Sequence, residues 1–333
     1  MKRTWFCWMA ALLALPWAHS LASGPNVYVA VVATRMFIVG AANPRTGIHF
    51  QTPADDTLWN HTGPNNTRAF SIATYQASKG QTLYIGAGNG VHKTTDGGKS
   101  WRVTNDWRMT EVLWVAPDQT DPRTVYAATA YGVQKTSDGC QTWALSNKGL
   151  ETPFTPCVIV DRTNPRTLYC ATESGAFRSD DAAATWHKMG LNVGGVRVIA
   201  QHPKNPLVLL AGTEENGVYV TRNGGKQWAK CESGIDHTTF FAFAFDPSNP
   251  ETVYAGGYVT GVYKSTDGAR SWKRMNNGLA SLSIHSLAVD PTDGNRVYAA
   301  AYWGGVYRTD DGGGVWRNVG LTDSCVWTVI IEP

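Results

Sequence analysis

The chain has 333 residues, 43% of them hydrophobic and only 17% charged, which is core material for two ordinary domains or one large repeat fold and excludes a disordered chain. Its 34 Gly, 14 Trp and 13 Tyr suit many short strands joined by tight turns and exclude a long-helix protein, which needs more Ala, Glu, Leu and Lys. The formal net charge of +3 falls to about +1 once Lys2 and Arg3 are set aside with the leader, so there is no electrostatic case for nucleic acid or an anionic membrane.

Residues 1–22 read as a signal peptide. Lys2 and Arg3 make a charged start, Trp5 to Leu15 an apolar run of 11 residues that Pro16 ends, and Ser20 and Ala22 are small residues at signal-peptidase spacing. The run is too short for a bilayer, which takes about 20 residues. Cys7 lies inside the leader with no cysteine at the cleavage point, which argues against a lipid anchor. Residues 23–333 are therefore expected as an exported protein without a membrane span, periplasmic or extracellular. Asn60-His-Thr62 and Asn65-Asn-Thr67 are glycan acceptors only in a eukaryotic secretory route.

From residue 52 onward the sequence repeats. QTPADDTLW ends at Trp59, KTTDGGKSW at Trp101, KTSDGCQTW at Trp143, RSDDAAATW at Trp186, VTRNGGKQW at Trp228, KSTDGARSW at Trp272 and RTDDGGGVW at Trp316, with tryptophans 42 to 44 residues apart. The first copy is worn: Ala54 replaces the aspartate, and Asp55 and Asp56 the glycines. Each copy sits between an apolar run ending near Pro, a run such as TVYAGG or RVYAAA, a Gly-Val-Tyr run and a tryptophan strand that often closes with Asn-x-Gly-Leu. Four strand-like runs per repeat, broken by Gly, Pro, Asn and Asp, predict one four-stranded antiparallel sheet each. Seven such sheets set radially make an all-β, seven-bladed β-propeller spanning 23–333.

The ends of the chain bear on closure. The 17 residues after Trp316 and the 37 from Ser23 to Trp59 together make one repeat and about ten residues more. The C-terminal WTVIIEP is expected to supply the innermost strand of a sheet whose other three strands come from the N-terminus. The surplus falls in Thr34 to Thr46, between the second and third strands of that sheet.

In the repeated segment a Ser or Thr stands seven residues before each tryptophan: Thr52, Thr94, Thr136, Ser179, Thr221, Ser265 and Thr309. Two residues on come Asp96, Asp138, Asp181, Asn223, Asp267 and Asp311. Hydroxyl and carboxylate both bond turn amides that a ladder leaves unpaired, and the glycines permit positive φ. Asn223 keeps an acceptor oxygen, which fits turn bonding and not acid–base work. The tryptophans are expected to pack on the adjoining sheet.

The pattern S/T-x-x-D-G-G-x-x-W resembles the Asp-box, or BNR repeat, and does so over the whole mature chain. Sialidases, xyloglucan-cleaving endoglucanases, the sortilin ectodomain and photosystem II assembly and stability factors share it. The resemblance implies the propeller and says little of function, because enzymes and non-enzymes share the turn. Resemblance to a sialidase would require an early Arg-Ile-Pro, and none occurs. Xyloglucan-type enzymes use two acids across a cleft between two propellers, and this length holds one. The likeness is nearest the single-propeller members.

Ligand residues are expected on the face opposite the boxes, where the connections between sheets and between second and third strands meet. Counting back six residues from the Pro-like end of each innermost strand gives a ring of Ser71, Glu111, Pro156, Arg197, Phe241, His285 and Trp327. With the connections, the ligand face comprises Trp107, Glu111, Tyr131, Arg197, His237, Tyr258, His285, Tyr302, Trp303 and Trp327. Aromatics with interspersed acids suit sugars or peptide segments. The reading is a monomeric, non-catalytic module for a protein-complex subunit or a glycan, an assembly or scaffold factor, with no nucleic acid. The alternative is a glycoside hydrolase using Glu111, Glu173, Glu214 or Asp236, since two carboxylates roughly 5–10 Å apart suffice. No cofactor is expected, and His237 and His285 lack HxH or HExxH spacing, so no metal. Of five mature cysteines, Cys157 and Cys170 flank a turn between two strands and are expected to pair as a disulfide.

Overall fold

The computed structural model describes residues 26–34, 46–52 and 55–332; the expected signal peptide, residues 1–22, and most of the surplus segment lie outside the described residues. The strands, numbered in chain order, assemble into seven four-stranded antiparallel sheets. Six blades begin with β4 (Ala69–Thr74), β8 (Val112–Pro117), β12 (Cys157–Val160), β16 (Val196–Gln201), β20 (Ala242–Phe245) and β24 (Ile284–Asp290), and each runs outward through its next three strands. First strands touch first strands around the ring, so they line the axis. Second strands such as Leu83–Ala87 and Val125–Thr129 are buried along their whole length. A neighbouring sheet covers each face, so these runs read as continuously small and apolar instead of alternating.

The remaining blade is made from both ends of the chain. β28 (Ser324–Glu332) is its inner strand and pairs antiparallel with β1 (Asn26–Thr34), followed by β2 (Gly47–Thr52) and β3 (Asp55–Thr62). The register sets Val27 against Ile331 and Val29 against Val329. Two side-chain bonds fasten β28 to its neighbours: Thr328 Oγ1 donates to the Phe70 carbonyl (2.7 Å) and Ser286 Oγ to that of Val329 (3.3 Å).

Each repeated segment is the turn from third to fourth strand. Thr94 Oγ1 donates to Asp96 Oδ1 (2.7 Å) and accepts from Gly98 N (3.0 Å), while Asp96 accepts from Ser100 N (2.9 Å) and Ser100 Oγ (2.6 Å). The same bonds recur at Asp138, Asp181 and Asp267, and Asn223 accepts from Gln227 N with its amide oxygen. The tryptophan that follows reaches back to the preceding blade. The indoles of Trp59, Trp186 and Trp316 donate to the carbonyls of Val319, Ser146 and Met275, and those of Trp101 and Trp143 to the hydroxyls of Thr62 and Thr104. Removing a buried tryptophan such as Trp316 costs about 3–5 kcal/mol, against about 1 kcal/mol for one neutral hydrogen bond, so the indole is the stronger half of the device.

Forward contacts complement these backward ones. Lys93, Lys135 and Lys264 lie over Tyr84, Tyr126 and Tyr254, 5.2 to 5.6 Å from the ring centres. Each ammonium then donates to a turn carbonyl of the next blade: Gly139 (3.3 Å), Ala182 (2.8 Å) and Gly312 (2.9 Å). The recurrent Asn-x-Gly-Leu has its own cause. Gly278 sits at φ +90° with the Trp316 carbonyl 2.1 Å from where a Cβ would lie, so no side chain fits between these blades.

The expected disulfide is not formed. Cys157 stands opposite Ala171 and Cys170 opposite Val158, so the two side chains point to opposite faces of the sheet. Cys157 packs with Val198 and Ile199 of the next blade, Cys170 with Tyr126 and Ala128 of the previous one. All five described cysteines are buried free thiols. Burial pushes Cys157 up to about 12 and Cys140, Cys231 and Cys325 to about 11. The native protein is therefore expected to resist alkylation, and the unreduced denatured protein to take label at all five; a Cys157–Cys170 crosslinked peptide would contradict this register.

Hydrogen bonds also hold the turn carboxylates below the usual 3.8, chiefly from the hydroxyls of Ser100, Thr142, Thr185 and Ser271, which takes Asp181 to about 2 and lowers Asp96, Asp138 and Asp267 further. A depressed folded-state value stabilises above the unfolded one and fades as pH falls through it. Asp138→Ala should lower Tm, by an amount greatest above about pH 5 that shrinks as the pH drops toward about 2, while Asp138→Asn, which restores the Asn223 arrangement, should cost less. Thermal melts across pH check both.

Candidate functional site

On the face opposite the turns, the first strands open into a cavity of about 340 Å3 lined by Leu113, Trp114, Phe154, Pro156, Glu173, Arg197, Val198, Glu214, Phe241, His285, Trp327 and Thr328. Its geometry comes from an irregularity repeated around the ring. In β4, β8, β16, β24 and β28 the ladder to the next strand skips one residue: Phe70, Leu113, Arg197, His285 and Trp327. A β-bulge leaves its extra residue unpaired and re-aims it. Four of those five line the cavity, and Phe70 meets the Trp327 ring at 5.6 Å. Pro156 and Phe241 immediately precede β12 and β20 and complete the circle.

Counting back from proline thus finds the right residue in five blades. In two the anchor of the count is displaced, since Pro117 follows Leu113 by four residues instead of six and β4 has no proline at that spacing: Phe70 takes the place expected for Ser71, which is buried, and Leu113 that expected for Glu111. Glu111 lies before β8 with φ +48° and pairs with Arg68 at 3.6 Å.

Two groups make up the mouth. One is an aromatic cluster: the His285 ring lies 4.3 Å from that of Trp327, 5.1 Å from Phe241 and 5.5 Å from Tyr302, which in turn touches Trp303. Burial lowers His285 from 6.5 to about 4, so its imidazole is neutral at ordinary pH. The other is an ion cluster. Arg197 Nε donates to Glu214 Oε2 (2.7 Å), Nη2 donates to the same oxygen, and Nη1 donates to Glu173 Oε1 (2.7 Å). The guanidinium lies over Phe154, 5.3 Å from the ring centre.

The other expected residues stand apart. Asp236 is bound by the Tyr263 hydroxyl and Arg274 (2.6 Å), with His237 beside Tyr263. Trp107, Tyr131 and Tyr258 are exposed separately on connections. A cleft of about 720 Å3 opens at the rim between β7 (Arg102–Val103) and β11 (Ala144–Leu145), lined by Arg102, Thr104, Gln134 and Leu145 among others, and takes none of the expected face residues. Among the described residues no three His, Cys, Asp or Glu side chains gather as metal ligands, and no helix is long and apolar enough to cross a membrane.

Trp114 and Phe154 were missing from the sequence expectation. Trp114, one residue past the bulge, occupies the place held by Ser71, Val198, Ser286 and Thr328 in other blades, where no other aromatic stands. Phe154 lies in a connection whose path the repeat does not specify.

No protein-family model matches the chain, and no curated protein does. Its fold is similar to that of an ancestral GH74 enzyme (TM-score 0.64, 20% identity, covering 75% of this chain and 38% of that one). It is also similar to the GH74 enzyme of Niastella koreensis (0.65, 16%, 93% and 55%) and to YCF48 bound to D1 peptide (0.61, 16%, 77% and 83%). The chain thus spans about half or less of the GH74 enzymes' length. At these identities the likeness is one of fold.

The His285 value carries a measurable consequence. A group held below its unfolded value takes up protons in the unfolded state first, so its contribution turns unfavourable as pH falls below about 6.5. NMR titration should place His285 near pH 4, and Trp327→Ala, which opens its surroundings, should move it back toward the ordinary range.

Proposed function

We propose that this chain is an exported, non-catalytic binding module whose channel mouth takes an extended segment of a partner protein. The observation that carries the reading is the convergence of Trp114, Phe154, Phe241, His285 and Trp327 on a cavity of about 340 Å3, a volume for one or two side chains. Sugar chains need several polar side chains to meet their hydroxyls, and this lining is mostly apolar, with its one arginine paired to the two glutamates. Rigid aromatics around a small pocket are the usual anchors of peptide and protein recognition. That YCF48, of similar fold, has been seen with a D1 peptide supports a protein partner.

The rival, a glycosidase, is favoured by the likeness to GH74 enzymes and by two carboxylates, Glu173 and Glu214, at one mouth. Such an enzyme sets an acid opposite a base or nucleophile, with the substrate between them. Here the two carboxylates share one guanidinium, a geometry that neutralises charge. Asp236 is held elsewhere by Tyr263 and Arg274.

Peptide arrays probed with the mature chain, alongside a reducing-sugar assay on polysaccharides, separate the two. Saturable peptide binding lost in Trp327→Ala, without sugar release, is the expected result. Turnover abolished by Glu173→Gln or Glu214→Gln would replace the module with the enzyme.

A further inference from the structure

The group recognised on the partner can be read from the charges of the mouth, given the peptide-binding reading above. We propose that it is a cationic side chain, Lys or Arg, held on the aromatic walls beside Glu173 and Glu214.

All three donor nitrogens of Arg197 are occupied, and one face of its guanidinium covers Phe154. No positive charge is therefore left over to receive an acid. One guanidinium against two carboxylates leaves one negative charge at the mouth. Glu215, exposed next to Glu214, adds negative charge to the same turn, and the Arg68–Glu111 pair cancels itself. Glu173 and Glu214 each spend a single oxygen on Arg197. Among the described residues the second oxygen of each meets no donor, and both side chains are more than two-fifths exposed.

The walls suit the same ligand. Trp114, Phe154, Phe241 and Trp327 line the cavity, and aromatic rings attract a cation through their quadrupole. His285 is uncharged at ordinary pH and adds no repulsion. An acidic ligand would have to break an Arg197 pair and enter a negative field. A wholly apolar one would cover two carboxylate oxygens without supplying a donor, which costs free energy. A guanidinium or ammonium on an aliphatic stem meets both demands, its methylenes on the rings and its head at the carboxylates.

The probes are acetyl-Gly-Phe-Arg-Gly-amide and its counterparts with citrulline or glutamate in place of arginine, titrated into the mature chain and read by calorimetry and the Trp327 indole NMR signal. The arginine peptide is expected to bind at least about fivefold more tightly than the citrulline one and to weaken as NaCl rises. Glu173→Gln/Glu214→Gln, which leaves Arg197 unpaired and turns the mouth positive, should reverse the order in favour of glutamate. Equal binding of all three peptides, lost in Trp327→Ala, overturns the charge assignment while leaving a peptide-binding mouth. Binding by none overturns both readings.

Discussion

Closure of the ring by β28 against β1 is the constraint on which the remaining geometry depends. A propeller blade cannot bury both faces alone. Each needs a neighbour on either side, and an open row would leave two apolar sheets in water. Here the chain's last described strand lies along its first, with Val326 and Val329 packed among Val27, Val29 and Val31. The same strand carries Trp327, so the mouth acquires its central indole only when tail has met head. Fold and candidate site are thus not separable: the strand that completes the circle also supplies the residue against which His285 and Phe70 pack.

Between blades, contacts run in both directions. Each tryptophan leans back onto the preceding sheet, and three of the repeats send a lysine forward over a tyrosine to a turn carbonyl of the following one. The turns tolerate substitution at their tips because the framework holds them. Ala182, Ala183 and Ala269 keep the left-handed conformation that glycine adopts elsewhere, at φ between 59° and 67°. Asn223 replaces an aspartate and keeps the bonds to Thr221 and to the Gln227 amide through its amide oxygen, as an architectural turn allows.

Much of this was legible in the residues. Tryptophan spacing fixed the number of blades, and the matching remnants at the two ends fixed the closure, because both follow from a long, regular signal. What was not legible depends on single-residue offsets. A cysteine pair that looks apposed across a hairpin changes face with a shift of one, and Cys157 faces Ala171 instead of Cys170. The proline from which the count starts is likewise displaced after β8, where Pro117 follows Leu113 by four residues instead of six, and missing after β4, which is why Ser71 and Glu111 stood where Phe70 and Leu113 belong. The pairing of Arg197 with both Glu173 and Glu214 joins two different connections, and spacing along the chain carries no trace of it.

The repeated bulge has an implication for how such a molecule diversifies. A residue skipped by the ladder contributes no backbone rung, so its identity is nearly free of the sheet's demands. Phenylalanine, leucine, arginine, histidine and tryptophan occupy the same socket in different blades without altering the strands around them. Drift or design at these five sockets can rewrite what the pore entrance recognises while the chassis beneath stays untouched.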